Sequence, residues 1–476
     1  MSKRIVLLLA LLILLSGCQT KSEPTIVELD IFYLNDFHGA MEPSENQMGA
    51  SAIAAFLSTQ HTHHDPIILT GGDMLQGSYL SNVNQGLLTL QWLNHIGVSA
   101  ATLGNHEFDW GLDAKTMYYT GQHDIQAQHP LLGANVVYKG TTTLPEGVQP
   151  YTILSRQGLK IGIIGLMGYG LESTILSEHI ADYAFLEPVA ITHQLTQHLR
   201  TVEAVDVVLV VIHGADDDFN EAVAQFEGDA KVDAIFNGHT HRETVKTMQG
   251  IPIMQAGGNG SAVGYLRLTI EEGEVIAFEP WLLNQDNEAR LWLTDESTEF
   301  MIESFKAEHA EAFETLLVSD RFHARSELAR YVATLMLHTY EVDFAFHNLG
   351  GTRQSLLPDQ DISEASLYAI LPFDNTVVTL RVPGYRLHRL IDFNPQYASR
   401  LTDVDDEAWY DIAVNNYLYT RDYYLLSSYD ATTHPQTLHE LLVEAMRYYA
   451  QTQTRFNASI HPPRAITLES LESSQP

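Results

Sequence analysis

A recurring pattern in the first half of the chain limits its fold more than any other feature: short apolar runs rich in β-branched residues, each ending abruptly. They cover 26–34 before Asn35, 67–70 before Gly71, 100–103 before Gly104, 161–166 before Met167, 205–212 before His213 and 232–236 before Asn237. Continuous apolar runs of this length read as strands buried on both faces, as in parallel sheets. Helical stretches such as 49–59 and 87–96 lie between several of them, so a layered α/β domain is expected. In such domains ligands collect beyond the carboxyl ends of the strands, which is where the polar residues fall.

The 476 residues exceed what one core holds, about 250–300, so a second domain is expected. A weaker β segment at 251–255, a turn at Gly257-Gly258-Asn259-Gly260 and a strand at 263–270 complete a first domain over 26–290. The turn lacks the Lys and Ser/Thr of a P-loop. Met301, Phe305, Ala312 and Leu316 recur at helical spacing and predict a linker helix within 291–318. Residues 319–470 mix helix and strand signals and are expected to form a smaller α/β domain.

Segments rich in metal-ligand residue types stand directly after the strands: Asn35-Asp36-Phe37-His38-Gly39, Gly71-Gly72-Asp73, Gly104-Asn105-His106-Glu107, His213-Gly214 and Asn237-Gly238-His239-Thr240-His241. Divalent cations take carboxylate, amide and imidazole donors, and a pair of them needs one bridging carboxylate, for which Asp73 is well placed. The spacing of Asp36 with His38, and of His239 with His241, puts each pair on one side of a locally extended backbone.

In order and spacing these segments resemble the signature of the calcineurin-like metallophosphoesterases, and within them the 5′-nucleotidase branch. The resemblance implies a four-layer αββα metallophosphoesterase sandwich followed by a smaller α/β substrate-binding domain. It implies one divalent metal ion on Asp36, His38, Asp73 and His241 and a second on Asp73, Asn105, His213 and His239, drawn from Mn, Zn, Mg or Co, with His106 and Asp109 as a catalytic dyad. The implied reaction is hydrolysis of nucleoside 5′-monophosphates to nucleoside and phosphate by metal-activated hydroxide.

The second half resembles the C-terminal domain of the same family. Asn348-Leu349-Gly350-Gly351-Thr352-Arg353 resembles its Asn-x-Gly-Gly-x-Arg motif, which implies Arg353 on the phosphate, where a planar fork suits the oxygens, and Asn348 near the nucleoside. Leu371-Pro372-Phe373-Asp374-Asn375 implies Phe373 as one wall of a base clamp. The family's Gly-Gly-Asp-Gly-aromatic motif stands here as Thr420-Arg421-Asp422-Tyr423-Tyr424, which implies Asp422 as an acidic contact and Tyr424 as the second wall, without the glycines that permit a tight turn. Arg325 is the second phosphate-binding arginine on this reading, although Ala329-Arg330 replace the family's Gly-Asn pair.

Lys3 and Arg4 precede an apolar run that ends in Leu14-Leu15-Ser16-Gly17-Cys18. The run is shorter than the roughly 20 residues of a spanning helix and reads as an export signal over 1–17. The junction resembles the lipobox of bacterial lipoproteins, which implies lipidation of Cys18, a tether over 18–25 and a place in the bacterial cell envelope, with Gln19 favouring the outer membrane, facing periplasm or exterior. Cys18 is the only cysteine, so no intramolecular disulfide is expected. A formal charge of −34 repels polyanions. The expected partners are a small nucleotide, no nucleic acid polymer, and a membrane through the N-terminal lipid only. The same metal core would serve a nucleotide-sugar pyrophosphatase or a 2′,3′-cyclic nucleotide phosphodiesterase, and a non-catalytic nucleotide-binding surface lipoprotein is the alternative from another class.

Overall fold

The computed structural model describes residues 26–44, 46–61, 65–421 and 423–459. The export signal, Cys18 with its tether, and Asp422 lie outside them. Among the described residues no helix is long and apolar enough to cross a membrane.

Two sheets make the centre of the first domain. One runs, edge to edge, Glu274–Leu283, Val263–Glu271, Ile26–Leu34, Ile67–Thr70, Ala100–Thr102, Leu131–Leu132 and Val148–Gln149. The other runs Glu243–Met248, Ile251–Ala256, Ala234–Asn237, Val207–His213, Leu159–Met167 and Tyr151–Arg156. The inner strands of both sheets pair in parallel except Val263–Glu271, which runs antiparallel to Ile26–Leu34, and antiparallel strands close three of the four edges.

Side chains alternate between two destinations, and this builds the layers. Leu29, Ile31 and Tyr33 of the first sheet meet Ile161, Ile163, Leu209 and Phe236 of the second in a core between the sheets. Phe32, Leu34 and Ile68 point the other way, onto helices Ala50–His61 and Leu87–His95. On the far side Val208, Val210 and Ile164 pack against Leu199 of helix Pro188–Thr201 and Phe219 and Val223 of helix Asp217–Ala224. The result is a four-layer αββα sandwich.

Helix Glu296–Glu308 is capped by Asp295, whose side chain accepts from Thr298 N. It is shorter than the span of the 301, 305, 312, 316 spacing, because the backbone leaves helical geometry at His309. Ile302 and Phe305 enter the core beneath helices Ala50–His61 and Leu87–His95, so the helix seals the first core as well as leading out of it.

The second domain is built on a five-stranded sheet ordered Ala398–Ser399, Phe344–Phe346, Trp409–Asn415, Thr376–Pro383 and Ala431–Thr437. One face packs against helices Arg325–Thr339 and Leu438–Ala450, through Val332, Met336, Leu442 and Met446. The two domains touch where Gln76 Nε2 and Asn82 Nδ2 both donate to the Pro372 carbonyl, at 2.5 and 3.0 Å, beside Phe373.

Candidate active site

Each sheet delivers its polar residues at the carboxyl ends of parallel strands. Asp36 and His38 follow strand Ile26–Leu34, Asp73 follows Ile67–Thr70, Asn105 and His106 follow Ala100–Thr102, His213 ends Val207–His213, and His239 and His241 follow Ala234–Asn237. The backbone is not extended there. Asp36, His38, Asp73, His239 and His241 all have φ between 50° and 73°, a left-handed conformation that costs a non-glycine residue about 1–2 kcal/mol. Extended geometry was expected at the Asp36/His38 and His239/His241 pairs. The structure instead turns the chain back at each of these five residues, which brings Asp36 and His38 together with His241.

Two groups of donors form. Asp36, His38 and His241 offer atoms within 4.8 Å of one another, and so do Asp73, His213 and His239. Asp73 Oδ2 lies 3.1 Å from His213 Nε2, and Asn105 Oδ1 lies 2.9 Å from His239 Nδ1 and 3.1 Å from His213 Nε2. His38 joins a further group with Asp73 and His106, so Asp73 stands between the two.

The donor chemistry fits cations. His38 Nδ1 donates to the Gln76 carbonyl at 2.8 Å and His213 Nδ1 to the Gly71 carbonyl at 2.7 Å, and a carbonyl can only accept. Each ring therefore has its Nε2 turned to the site, the tautomer a metal requires. His38 Nε2 and His241 Nε2 face each other at 3.1 Å, close enough for both nitrogens to serve one cation. Burial, with the charge of His106, holds His38 well below the usual range. Burial, aided by His213 for one and Arg353 for the other, brings His239 and His241 down to about 4, so all three rings are neutral at pH 7. Burial and the charge of Asp73 push Asp36 up to about 7, against the lowering effects of His213, Asn35 and His239. Burial also acts to raise Asp73, but His213 and His106 outweigh it and hold it well below the carboxylate range. Against the pull of burial, Asp73 lifts His213 to about 10, and that proton must leave when a metal binds.

Glycines let these loops pack. Gly72 has φ +85°, and a Cβ there would lie 2.7 Å from His213 Nδ1; one on Gly104 would lie 2.3 Å from Asp73 Oδ1. The Gly257-Gly260 turn lies under the site as a buttress, with Asn259 N donating to the Asp36 carbonyl at 2.6 Å.

His106 borders both donor groups, through His38 of one and Asp73 of the other. Its Nδ1 is 2.7 Å from Asp109 Oδ2 and its Nε2 is 4.0 Å from Asp73 Oδ2. Burial lowers its pKa, but Asp109 and Asp73 prevail and raise it. Its ring lies against Phe373 of the second domain, centroids 5.7 Å apart at 26°.

A cavity of about 570 Å³ opens over His106 and His239, and its opposite wall comes from the second domain. Asn348, Arg353 and Phe373 line it, as do Asn416 and Tyr417. Burial, with the charge of Arg325, holds the Arg353 pKa below its usual value, against the raising effects of Asp73, Asp109 and Asp36.

Two expected substrate contacts lie elsewhere. Arg325 donates from Nε to the Thr352 carbonyl at 2.8 Å and from Nη2 to the Leu349 carbonyl at 3.4 Å. It stiffens the loop that carries Asn348 and Arg353 and does not line the cavity. Tyr424 packs against the core of the second domain, its hydroxyl accepting from Asn394 Nδ2 at 3.3 Å, and Tyr417 takes the place at the cavity wall. Without the glycines, the chain after helix Asn416–Tyr419 folds its later tyrosine inward.

Sequence reasoning also missed Glu107. Its buried carboxylate accepts from Asp73 N, Met74 N and Gly104 N at 2.8, 3.1 and 2.6 Å, locking two ligand loops together. The available signal was an acidic residue next to His106 in a glycine-led run. Asn35 does similar work, donating to Asp36 Oδ2 at 2.6 Å and to the Gly257 carbonyl at 2.7 Å.

Comparison with known proteins places this geometry. A calcineurin-like phosphoesterase model matches residues 29–243 and a 5′-nucleotidase C-terminal domain model matches residues 307–400. A 5′-nucleotidase of Vibrio parahaemolyticus is 26% identical over 79% of this chain and 77% of its own length. A cell wall protein of Listeria monocytogenes is 24% identical over 81% of this chain, which spans only 58% of that relative's length. The solved 5′-nucleotidase precursor of Thermus thermophilus superposes with a TM-score of 0.75 at 20% identity, over 90% of this chain and 97% of that one, a likeness of fold. The chain belongs to the calcineurin-like phosphoesterases, a family of metal-dependent phosphoester hydrolases, in the form that carries a 5′-nucleotidase C-terminal domain.

Proposed function

We propose that this protein hydrolyses nucleoside 5′-monophosphates to nucleoside and phosphate, using two divalent metal ions at the strand ends of its first domain. The observation that carries the reading is convergence: Asn105 and His239 from one donor group, the His106–Asp109 pair and Arg353 line one cavity with two aromatic side chains, Phe373 and Tyr417, and the other donor group adjoins it through His38, whose ring is 5.1 Å from that of His106. On this reading Asp36, His38, Asp73 and His241 hold one ion, and Asp73, Asn105, His213 and His239 the other. The bound ions would supply a nucleophile by lowering the pKa of water and would offset charge on the phosphoryl oxygens.

The chain's own groups do the rest. Asp109 keeps the His106 imidazolium oriented through Nδ1, which leaves the Nε2 proton for the phosphoryl oxygens or the leaving alkoxide. Arg353 presents a planar fork to two phosphoryl oxygens. Phe373 and Tyr417 offer ring faces to a base, which is stacking tolerant of base identity, and Asn348 supplies hydrogen bonds on the nucleoside side. We further propose that the first domain spans 26–290 and the second 319–470, and that the protein is exported and held in the envelope by lipid on Cys18. The cell wall relative supports export.

The test is phosphate release with Mn²⁺ from AMP, UDP-glucose, a 2′,3′-cyclic nucleotide and bis-p-nitrophenyl phosphate, for the wild type and for Asp73→Ala. AMP is expected to be the best substrate, with its turnover abolished in the variant. Turnover of the diesters alone would move the activity to a phosphodiesterase, and AMP binding without phosphate release would make the protein a nucleotide-binding lipoprotein.

A further inference from the structure

The segment in which the family's glycines are missing does something else here. Arg421 crosses from the second domain to the first: its Nη1 donates to the Ser173 carbonyl and its Nη2 to the Ile175 carbonyl, the latter at 3.0 Å. The same guanidinium lies over Tyr417, its Cζ 3.9 Å from the ring centre. Both structures it touches bound the cavity. Tyr417 lines it from the second domain, and Thr174 and Leu176 line it from the first.

A guanidinium can hold two acceptors at once because its donors are fixed in one plane, and its face can lie on an aromatic ring at the same time. Glycine at this position would provide neither. Arg421 thus ties residues 173–175 of the first domain to the ring that forms the opposite part of the rim. These contacts fall on the rim itself and touch none of the metal-binding residues.

We infer that Arg421 is a positioning residue that joins the two domains across the outer rim of the cavity, setting the Tyr417 ring and the 173–176 loop as a wall for the leaving group. The inference rests on the proposed nucleotidase reading for its kinetic consequence. A large leaving group such as a nucleoside reaches this wall, and a small one such as glycerol does not.

The experiment compares the wild type, Arg421→Ala and Arg421→Lys in the full-length, Mn²⁺-loaded protein. KM and kcat are measured for AMP and for β-glycerol phosphate, and amide hydrogen exchange is followed across residues 171–180. For Arg421→Ala the expected results are a rise of about tenfold in KM for AMP, kcat within about twofold, unchanged kinetics on β-glycerol phosphate and about tenfold faster exchange in the loop. Arg421→Lys should recover part of the loss, since an ammonium reaches one carbonyl without the planar fork. Equal losses on both substrates, or an unchanged KM for AMP, would overturn the inference. Exchange decides independently of substrate: if the wild type does not hydrolyse AMP, the nucleotidase reading fails, and unaltered loop exchange in Arg421→Ala would then sink the positioning role as well.

Discussion

The two walls of the cavity are built in different ways. The proposed metal-binding wall is made from short loops at strand ends, where five of the seven proposed ligands sit in left-handed backbone conformations and side chains are tied to main-chain groups: His38 and His213 to the Gln76 and Gly71 carbonyls, and Glu107 to three amides. The wall from the second domain, proposed to bind substrate, has none of Asn348, Arg353, Phe373 and Tyr417 at positive φ and is joined by single long side chains. Asn415 Nδ2 donates to Asn348 Oδ1 at 2.8 Å, Arg325 props the loop before Arg353, and Arg421 bridges the domains. Ligands held in left-handed turns tolerate little change of residue type, whereas a wall joined by single long side chains can be rebuilt residue by residue. The intact strand-end segments and the altered 420–424 segment within one chain fit that difference.

If the metal wall is as sharply divided between holding and reacting groups as the geometry indicates, His106→Ala should lower kcat by about 10²–10⁴-fold while the bound metal stays constant, measured by phosphate release and elemental analysis. Parallel loss of metal would break the distinction. The same dyad sets a pH limb. Asp109 and Asp73 raise the His106 pKa, so the protonated ring is present below that raised value and is lost as pH climbs through it. Asp109→Asn removes one of the raising charges and should shift the alkaline limb of the rate profile to lower pH.

Glu107→Gln should loosen the loops of Asp73 and Asn105 together, weakening metal affinity by about 10–100-fold in a competition titration with a chelator. An unchanged affinity would mean the ligand loops hold themselves. On the substrate wall, Tyr417→Ala should raise KM for AMP about tenfold, in keeping with ~1–3 kcal/mol for one base–aromatic contact. The smallest effect is reserved for Tyr424→Phe. It loses one hydrogen bond with Asn394, about 0.5–1.5 kcal/mol of stability by chemical unfolding, and should leave kcat/KM within about twofold.

These contrasts also mark what was legible before the structure. Buried parallel strands declare themselves because both faces need apolar residues, and strands such as Ile26–Leu34 and Ile67–Thr70 could be bounded to the residue from their abrupt ends. Edge strands Glu243–Met248 and Glu274–Leu283 are half exposed, so their mixed composition carries no such signal. The ligand residue types were visible, but their left-handed φ values were not, because Asp and His are only enriched at positive φ and most of them adopt ordinary conformations. Glu107 was hidden for a related reason: its partners are main-chain amides, which any sequence supplies. The exchange of Tyr424 for Tyr417 at the cavity depends on which way one turn folds after Tyr419, a matter of packing against Asn394 and Leu390 that residue types alone do not settle.

The number of metal ions held at the strand ends is the most direct test of the proposed site. Wild-type protein and Asp73→Ala should be stripped, reloaded with Mn²⁺ and analysed for bound metal per chain after removal of the excess. About two ions are expected in the wild type, as a bridging carboxylate between paired cations requires, with loss of both, or of all but a weakly held one, in Asp73→Ala. A wild type that binds a single ion or none, or a variant that keeps the full complement, would contradict the two-metal reading.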